Sequence, residues 1–202
     1  MALALLLCSC SSNGNRYVIE GTTAQSGPYY LYRGYEIVDS AEVVNGHYRF
    51  EGEVDSLVPV RNISSGNIRK MEGTARFAPL ILEAGTITVA EDDNSPTGGL
   101  TVGGTRANKA IHNFAIKGME IQQASDFVFS REEREQLMER YNKLVVNTIE
   151  RNLNNFASLY MLIISEDRFT AEQKAAYFNR MPKHIQQTEA GQSIKNELQT
   201  NN

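Results

Sequence analysis

From Tyr17 to Val102, apolar and polar residues alternate in short runs broken by Gly, Pro and Asn. That period of two is the signature of strands with one buried face. Predicted strands occupy residues 17–21, 29–33, 57–63, 76–82, 86–91 and 100–102, with a turn at Glu83-Ala84-Gly85. The clearest unit is a hairpin, residues 37–44 and 47–54, joined by Asn45-Gly46. Asn-Gly favours a type I′ turn because both residues tolerate positive φ. The turn pairs Val44 with His47. Stepping outward, Val43 faces Tyr48, Ala41 faces Phe50 and Ile37 faces Val54 on one side, while Glu42 meets Arg49 on the other.

After Gly103-Gly104 the period lengthens toward 3.6. Ile111, Phe114, Ala115, Gly118 and Ile121 share one face of a helix starting near Thr105 or Arg106. Ser130-Arg131-Glu132-Glu133 reads as a capping box, in which Ser130 accepts from the Glu133 amide and Glu133 reaches back. Leu137, Tyr141, Leu144, Val145, Thr148 and Asn152 trace an amphipathic stripe. Residues 156–164 are apolar nearly all round, which predicts a buried helix. Thr170 with Gln173 repeats the capping pattern, Met181-Pro182 ends that helix, and further helix runs to about Leu198. The fold class is therefore α+β: an N-terminal antiparallel β-sandwich or open barrel followed by an all-α C-terminal region. Three segments are expected: residues 1–16 as leader and tether, 17–104 as the β domain and 105–202 as the helical domain.

The leader adds a location. Residues 1–7 are apolar and end in Leu7-Cys8-Ser9-Cys10, followed by polar Ser11-Ser12-Asn13-Gly14-Asn15. An apolar run of this length cannot span a bilayer, which takes about 20 residues. Leucine, a small residue and cysteine after an apolar segment resemble the lipobox of bacterial lipoproteins. The resemblance implies cleavage before Cys10, diacylglycerol on its thiol, and a membrane anchor in the cell envelope. With neutral rather than acidic residues after Cys10, the same resemblance implies an outer membrane location facing the periplasm. A buried N-terminal strand is the alternative. Both of the chain's 2 cysteines lie in this segment, so the mature protein carries no thiol for exchange, nucleophilic or metal chemistry. The net charge is −4 with both signs interspersed along the sequence, which argues against nucleic acid as a partner.

The order of these features carries a family resemblance. The lipobox is followed by Tyr17-Val18-Ile19-Glu20-Gly21, then by the segment from Val38 through Asn45-Gly46 to Gly52. Leu80-Ile81-Leu82-Glu83-Ala84-Gly85, Leu100-Thr101-Val102-Gly103-Gly104-Thr105 and a helical tail complete the series. Over about residues 17–191 this resembles the Bacteroidetes envelope domain of unknown function that precedes thioredoxin-like domains in thiol–disulfide oxidoreductase lipoproteins. The motifs are structural and imply no activity. No Cys-x-x-Cys occurs up to Asn202, so the resemblance implies the accessory half without its catalytic neighbour.

Candidate chemistry is sparse. His47, His112 and His184 lack the spacing of a helical metal pair. Asp92-Asp93-Asn94-Ser95 reads as an acidic turn rather than a calcium loop. Gly98-Gly99 and Gly103-Gly104 lack the Gly-Lys-Ser/Thr of a phosphate loop, and no nucleophile elbow is present. Asp39-Ser40-Ala41 and Asp55-Ser56-Leu57 resemble a short O-glycosylation acceptor motif. No catalytic residue, metal or cofactor is expected. Tyr29, Tyr30, Tyr32 and Tyr35 form the one unusual aromatic cluster, either strand core or a candidate binding surface for sugar or peptide. The expected function is a non-catalytic envelope lipoprotein acting as an interaction or accessory domain, with an envelope protein as partner. The alternative is a small-molecule or glycan-binding module with a pocket between sheet and helices.

Overall fold

A computed structural model describes residues 15–54, 60–67, 76–93, 99–127 and 130–200. Eight strands among them form two open four-stranded sheets. They are β1 (Arg16–Thr22), β2 (Tyr29–Arg33), β3 (Glu36–Ala41), β4 (His47–Glu53), β5 (Val60–Ser64), β6 (Phe77–Ile81), β7 (Gly85–Glu91) and β8 (Leu100–Gly103). One sheet has the order β4-β1-β7-β8 and the other β3-β2-β5-β6. The pairs are antiparallel except β1–β7, which is parallel. Ile19, Tyr48, Phe50, Ile87, Val89 and Leu100 from the first sheet pack on Tyr29, Leu31, Ile63 and Leu80 from the second. The α+β class and the sandwich arrangement agree with the sequence pattern.

The hairpin is only half as drawn from sequence. Asn45 and Gly46 have φ of 53° and 78°, as a type I′ turn requires, and Val44 and His47 exchange hydrogen bonds of 2.8 and 3.1 Å. Beyond that bridge the arms part: β3 joins β2 in one sheet and β4 joins β1 in the other. The pairs Ala41–Phe50 and Ile37–Val54 therefore do not form, and Arg49 meets Glu20 at 2.6 Å and Glu51 at 3.2 Å.

The cause is an interlock between β1 and β4. Each carries Tyr-x-x-x-Gly, Tyr17 to Gly21 and Tyr48 to Gly52, and the register places Tyr17 opposite Gly52 and Gly21 opposite Tyr48. A Cβ on Gly21 would lie 1.8 Å from the Tyr48 ring, and one on Gly52 2.9 Å from the Tyr17 hydroxyl. Each tyrosine thus fills the space its cross-strand glycine vacates, burying aromatic area that the β3 arm, with Val38 exposed, does not offer.

Six α-helices follow among the described residues: α1 (Arg106–Ser125), α2 (Arg131–Arg151), α3 (Phe156–Ile164), α4 (Ala171–Arg180), α5 (Lys183–Gln186) and α6 (Glu189–Thr200). Both predicted capping boxes are present, Ser130 with Glu133 and Thr170 with Gln173. No helix among the described residues is long and apolar enough to cross a membrane. Met161 and Leu162 of α3 are fully buried among Phe114, Val145, Ile149, Phe178, Ile185 and Ile194.

Sheet and helices meet at a polar clamp. Asn108 Oδ1 accepts from the Ile81 amide and its Nδ2 donates to the Ile81 carbonyl, both at 2.8 Å. The side chain so acts as a further strand residue on the edge of β6, and its Nδ2 also donates to Thr105 Oγ1 at 2.8 Å. Glu83 Oε1 accepts from the Ala107 amide at 2.9 Å, satisfying a free donor of the first helical turn. Gly104, with φ of 83°, makes the strand-to-helix turn where a Cβ would lie 2.2 Å from the Thr86 carbonyl oxygen. Ile81, Ala107, Ile111 and Ala157 close the junction with apolar contact.

Candidate interaction surfaces

The tyrosine cluster does not form one surface. Tyr29 and Tyr32 are 1% and 0% exposed, Tyr30 is half-buried and Tyr35, in the β2–β3 turn, is 79% exposed. A register shift between Leu31 and Tyr32 breaks strand alternation, so Leu31 and Tyr32 are both buried. Tyr32 donates to the Gly66 carbonyl at 3.2 Å. As a platform, the four residues are replaced by a core pair and a lone exposed ring.

Tyr29 instead anchors a polar cluster at one end of the sandwich. Its ring stacks on Tyr48 at 3.8 Å between centroids, and its hydroxyl donates to Glu91 Oε1 at 2.6 Å. Glu91 Oε2 accepts from the Ala24 amide at 3.3 Å and pairs with Arg76 at 3.3 Å, and Arg76 also pairs with Asp93. Burial by itself would raise the Glu91 pKa. Hydrogen bonds from Tyr29, Thr23 and the Ala24 amide, with the charge of Arg76, outweigh it and hold the carboxyl below its ordinary value. Burial pushes both tyrosines up, with the Glu91 carboxylate adding to the effect. The Tyr48 hydroxyl is buried without a hydrogen-bond partner among the described residues. Every charge here has a structural partner, and the arrangement reads as a strut.

The other predicted positions are dispersed. His47 is exposed in the hairpin, His112 lies half-buried in α1 and His184 sets its ring edge-on to Phe156. Burial lowers the His112 pKa, partly offset by Asp92. No group of three His, Cys, Asp or Glu among the described residues is placed to hold a metal. Asp39 and Ser40 are exposed on β3. Cys10, the segment around it, Asp55-Ser56-Leu57, Asn94, Ser95 and Gly98 lie outside the described residues.

Two surfaces emerge that the sequence did not announce. One is a helical arm. In the α1–α2 pair the Phe114 and Tyr141 rings meet edge-to-face at 5.8 Å, with Gly118 beside Tyr141. Beyond that layer α1 runs on to Ser125, about 10 Å at 1.5 Å per residue, and α2 returns from Arg131. Between residues 131 and 140 only Leu137 is buried. The arm presents Phe127, 81% exposed, and Met138, 52% exposed. Met138 also lines a cleft of about 450 Å³ walled with it by Ile121, Leu137 and Tyr141. Among the described residues its charged lining groups are Arg134 and Arg168, the latter 4.5 Å over the Tyr141 ring and bonded to Asn142 at 2.7 Å. The legible signal was an apolar run, Phe127-Val128-Phe129, set in the connection between two helices where polar residues are the norm.

The second surface is a groove between α1 and α2 nearer the sandwich, of about 470 Å³. It brings together Arg106, Lys109, Lys117 and Arg151. The linear sequence shows no basic stripe because the fourth cation comes from a separate helix; folding assembles one.

The architecture defines a class: a small two-sheet β-sandwich module continued by a helical unit clamped to its edge. Residues 17–111 match the family described as domain of unknown function DUF4369. The matched span covers the sandwich and ends inside α1, so the helical arm lies beyond it. No curated protein and no solved structure matches the chain.

Proposed function

We propose that this chain is a non-catalytic accessory module of the cell envelope that docks a partner protein through its helical arm. The observation that carries the reading is the apolar cleft lined by Ile121, Leu137, Met138 and Tyr141, with Phe127 exposed two residues past its Ser125 wall. A monomer gains nothing by holding two large apolar side chains in water, and such patches commonly mark contact sites. Arg134 and Arg168 at the cleft select the occupant: a segment with apolar side chains flanked by carboxylates. In the same reading Cys10 carries the lipid, the membrane is met through that anchor, and the module faces the periplasm from the outer membrane. The family resemblance makes a thiol–disulfide oxidoreductase the first partner class to examine.

The test compares tagged wild type with a Phe127→Ala/Met138→Ser double variant as bait after crosslinking in native envelope. Both side chains are exposed, so the fold survives their loss. Burying each at an interface contributes about 1.5–3 kcal/mol, so recovery of a specific partner falls by more than about tenfold. Equal recovery with both baits rejects the arm as the docking site.

A further inference from the structure

The basic groove between α1 and α2 is independent of the arm, and no role in the docking reading falls to it. Arg106, Lys109, Asn113 and Lys117 recur at three- and four-residue intervals on α1, while Asn147 and Arg151 face them from α2. None of the lining residues is acidic, in a chain whose net charge is −4. Lys109, Lys117 and Arg151 form no ion pair with any described residue, although this protein pairs helical charges elsewhere: Arg131 with Glu135, Lys143 with Glu139 and Arg180 with Glu150. The nearest structural use of the set is Arg106 Nη2, which donates to the Arg151 carbonyl at 3.2 Å and ties the start of α1 to the end of α2. Arg106 and Lys109, like charges three residues apart, disfavour the helix slightly, and a ligand of opposite sign would relieve them.

We infer that this groove binds an acidic oligosaccharide, a thin chain carrying sulfate or carboxylate groups. The cations run over about 16 Å of α1, from Arg106 to Lys117, which matches an extended ligand with several separated charges rather than one phosphate. All four are solvent-exposed along the two helices that wall the groove. The groove is too small for a nucleic-acid duplex. Its one aromatic, Phe114, is buried and offers no face for a base to stack on. Asn113 and Asn147, whose amides have no side-chain partner among the described residues, supply donors and acceptors for sugar hydroxyls between the charged contacts.

The experiment is calorimetric titration of the full chain with a size-defined heparin-derived hexasaccharide. Parallel titrations use its uncharged counterpart, inorganic phosphate, a poly-glutamate peptide and anionic lipid vesicles. The Lys109→Gln/Lys117→Gln/Arg151→Gln variant removes three charges without changing side-chain length much, and circular dichroism verifies its helices. Affinity for the hexasaccharide falls about tenfold per cation removed, the scale of one charge-assisted hydrogen bond, and weakens with added salt. A Lys143→Gln control, outside the groove, leaves affinity unchanged. The assignment is overturned by undiminished affinity in the triple variant, by absence of hexasaccharide binding, or by preferential binding of the peptide, phosphate or vesicles.

Discussion

Replacing Asn108 by alanine removes the clamp between sandwich and helices, and the structure sets the scale of the loss. Asn108 is 2% exposed and Ile81 1%, so water does not reach the Ile81 amide and carbonyl once the side chain is gone. Those two backbone groups face away from β5, because β6 is the edge of its sheet and Asn108 stands where the next strand would be. A buried donor or acceptor left unpaired costs about 1–3 kcal/mol, so two orphaned groups amount to roughly 4 kcal/mol. A domain of this kind has a total stability of about 5–15 kcal/mol, so the variant sits near the limit of folding. Urea unfolding followed by far-ultraviolet dichroism gives the difference. The tyrosine signal, to which the sandwich contributes six of the nine rings, is followed in parallel and separates from the helical transition as the junction weakens. Asn108→Asp is an isosteric companion: it keeps an acceptor for the Ile81 amide but turns a carboxylate toward the Ile81 carbonyl, and loses at least as much at neutral pH. A loss under about 1 kcal/mol for Asn108→Ala, or coincident transitions with unchanged midpoint, refutes the view that this amide completes the sheet edge.

Further expectations concern the turn, the strand interlock and the polar strut. Gly104→Ala combines the left-handed conformation with a Cβ against the Thr86 carbonyl and destabilises by about 3 kcal/mol or more, measured by thermal unfolding. Gly21→Ala drives a methyl into the Tyr48 ring at a cost of about 1–3 kcal/mol, while Gly52→Ala, with more room, costs less. Tyr48→Phe removes a buried hydroxyl that has no partner among the described residues, and raises stability by about 1 kcal/mol; a loss of stability would show that the hydroxyl is bonded. Because the Glu91 pKa is lower folded than unfolded, its contribution is full above the ordinary carboxylate value and fades as pH falls through the folded value. Glu91→Gln should therefore lower stability at neutral pH and flatten the acid limb of the stability–pH curve, checked by denaturant midpoints across that range.

Local chemistry was legible in the chain, and choices between partners were not. Asn45-Gly46 specified its turn, and Ser130 with Glu133 and Thr170 with Gln173 specified helix starts, because each needs only neighbouring residues. Where β4 goes after the turn depends on competition from β1, decided by two Tyr–Gly contacts that pattern alone does not rank. The tyrosine cluster misled for a similar reason: a one-residue shift after Leu31 buries Tyr32, which alternation would have left outside. The basic groove draws on residues from two helices, so no window of sequence contains it. Phe127 did leave a trace, as an aromatic in a connection, and Met138 lay off the predicted stripe through Leu137 and Tyr141.

The central claim is that the arm, and not the sheet, meets another protein. A photo-crosslinking side chain placed at Met138, and in a separate chain at Thr101 on the outer face of the sandwich, tests it in native envelope. Crosslinking of one defined protein from position 138, with none from position 101, is the predicted result. Equal products from both positions, or products from position 101 alone, would contradict it.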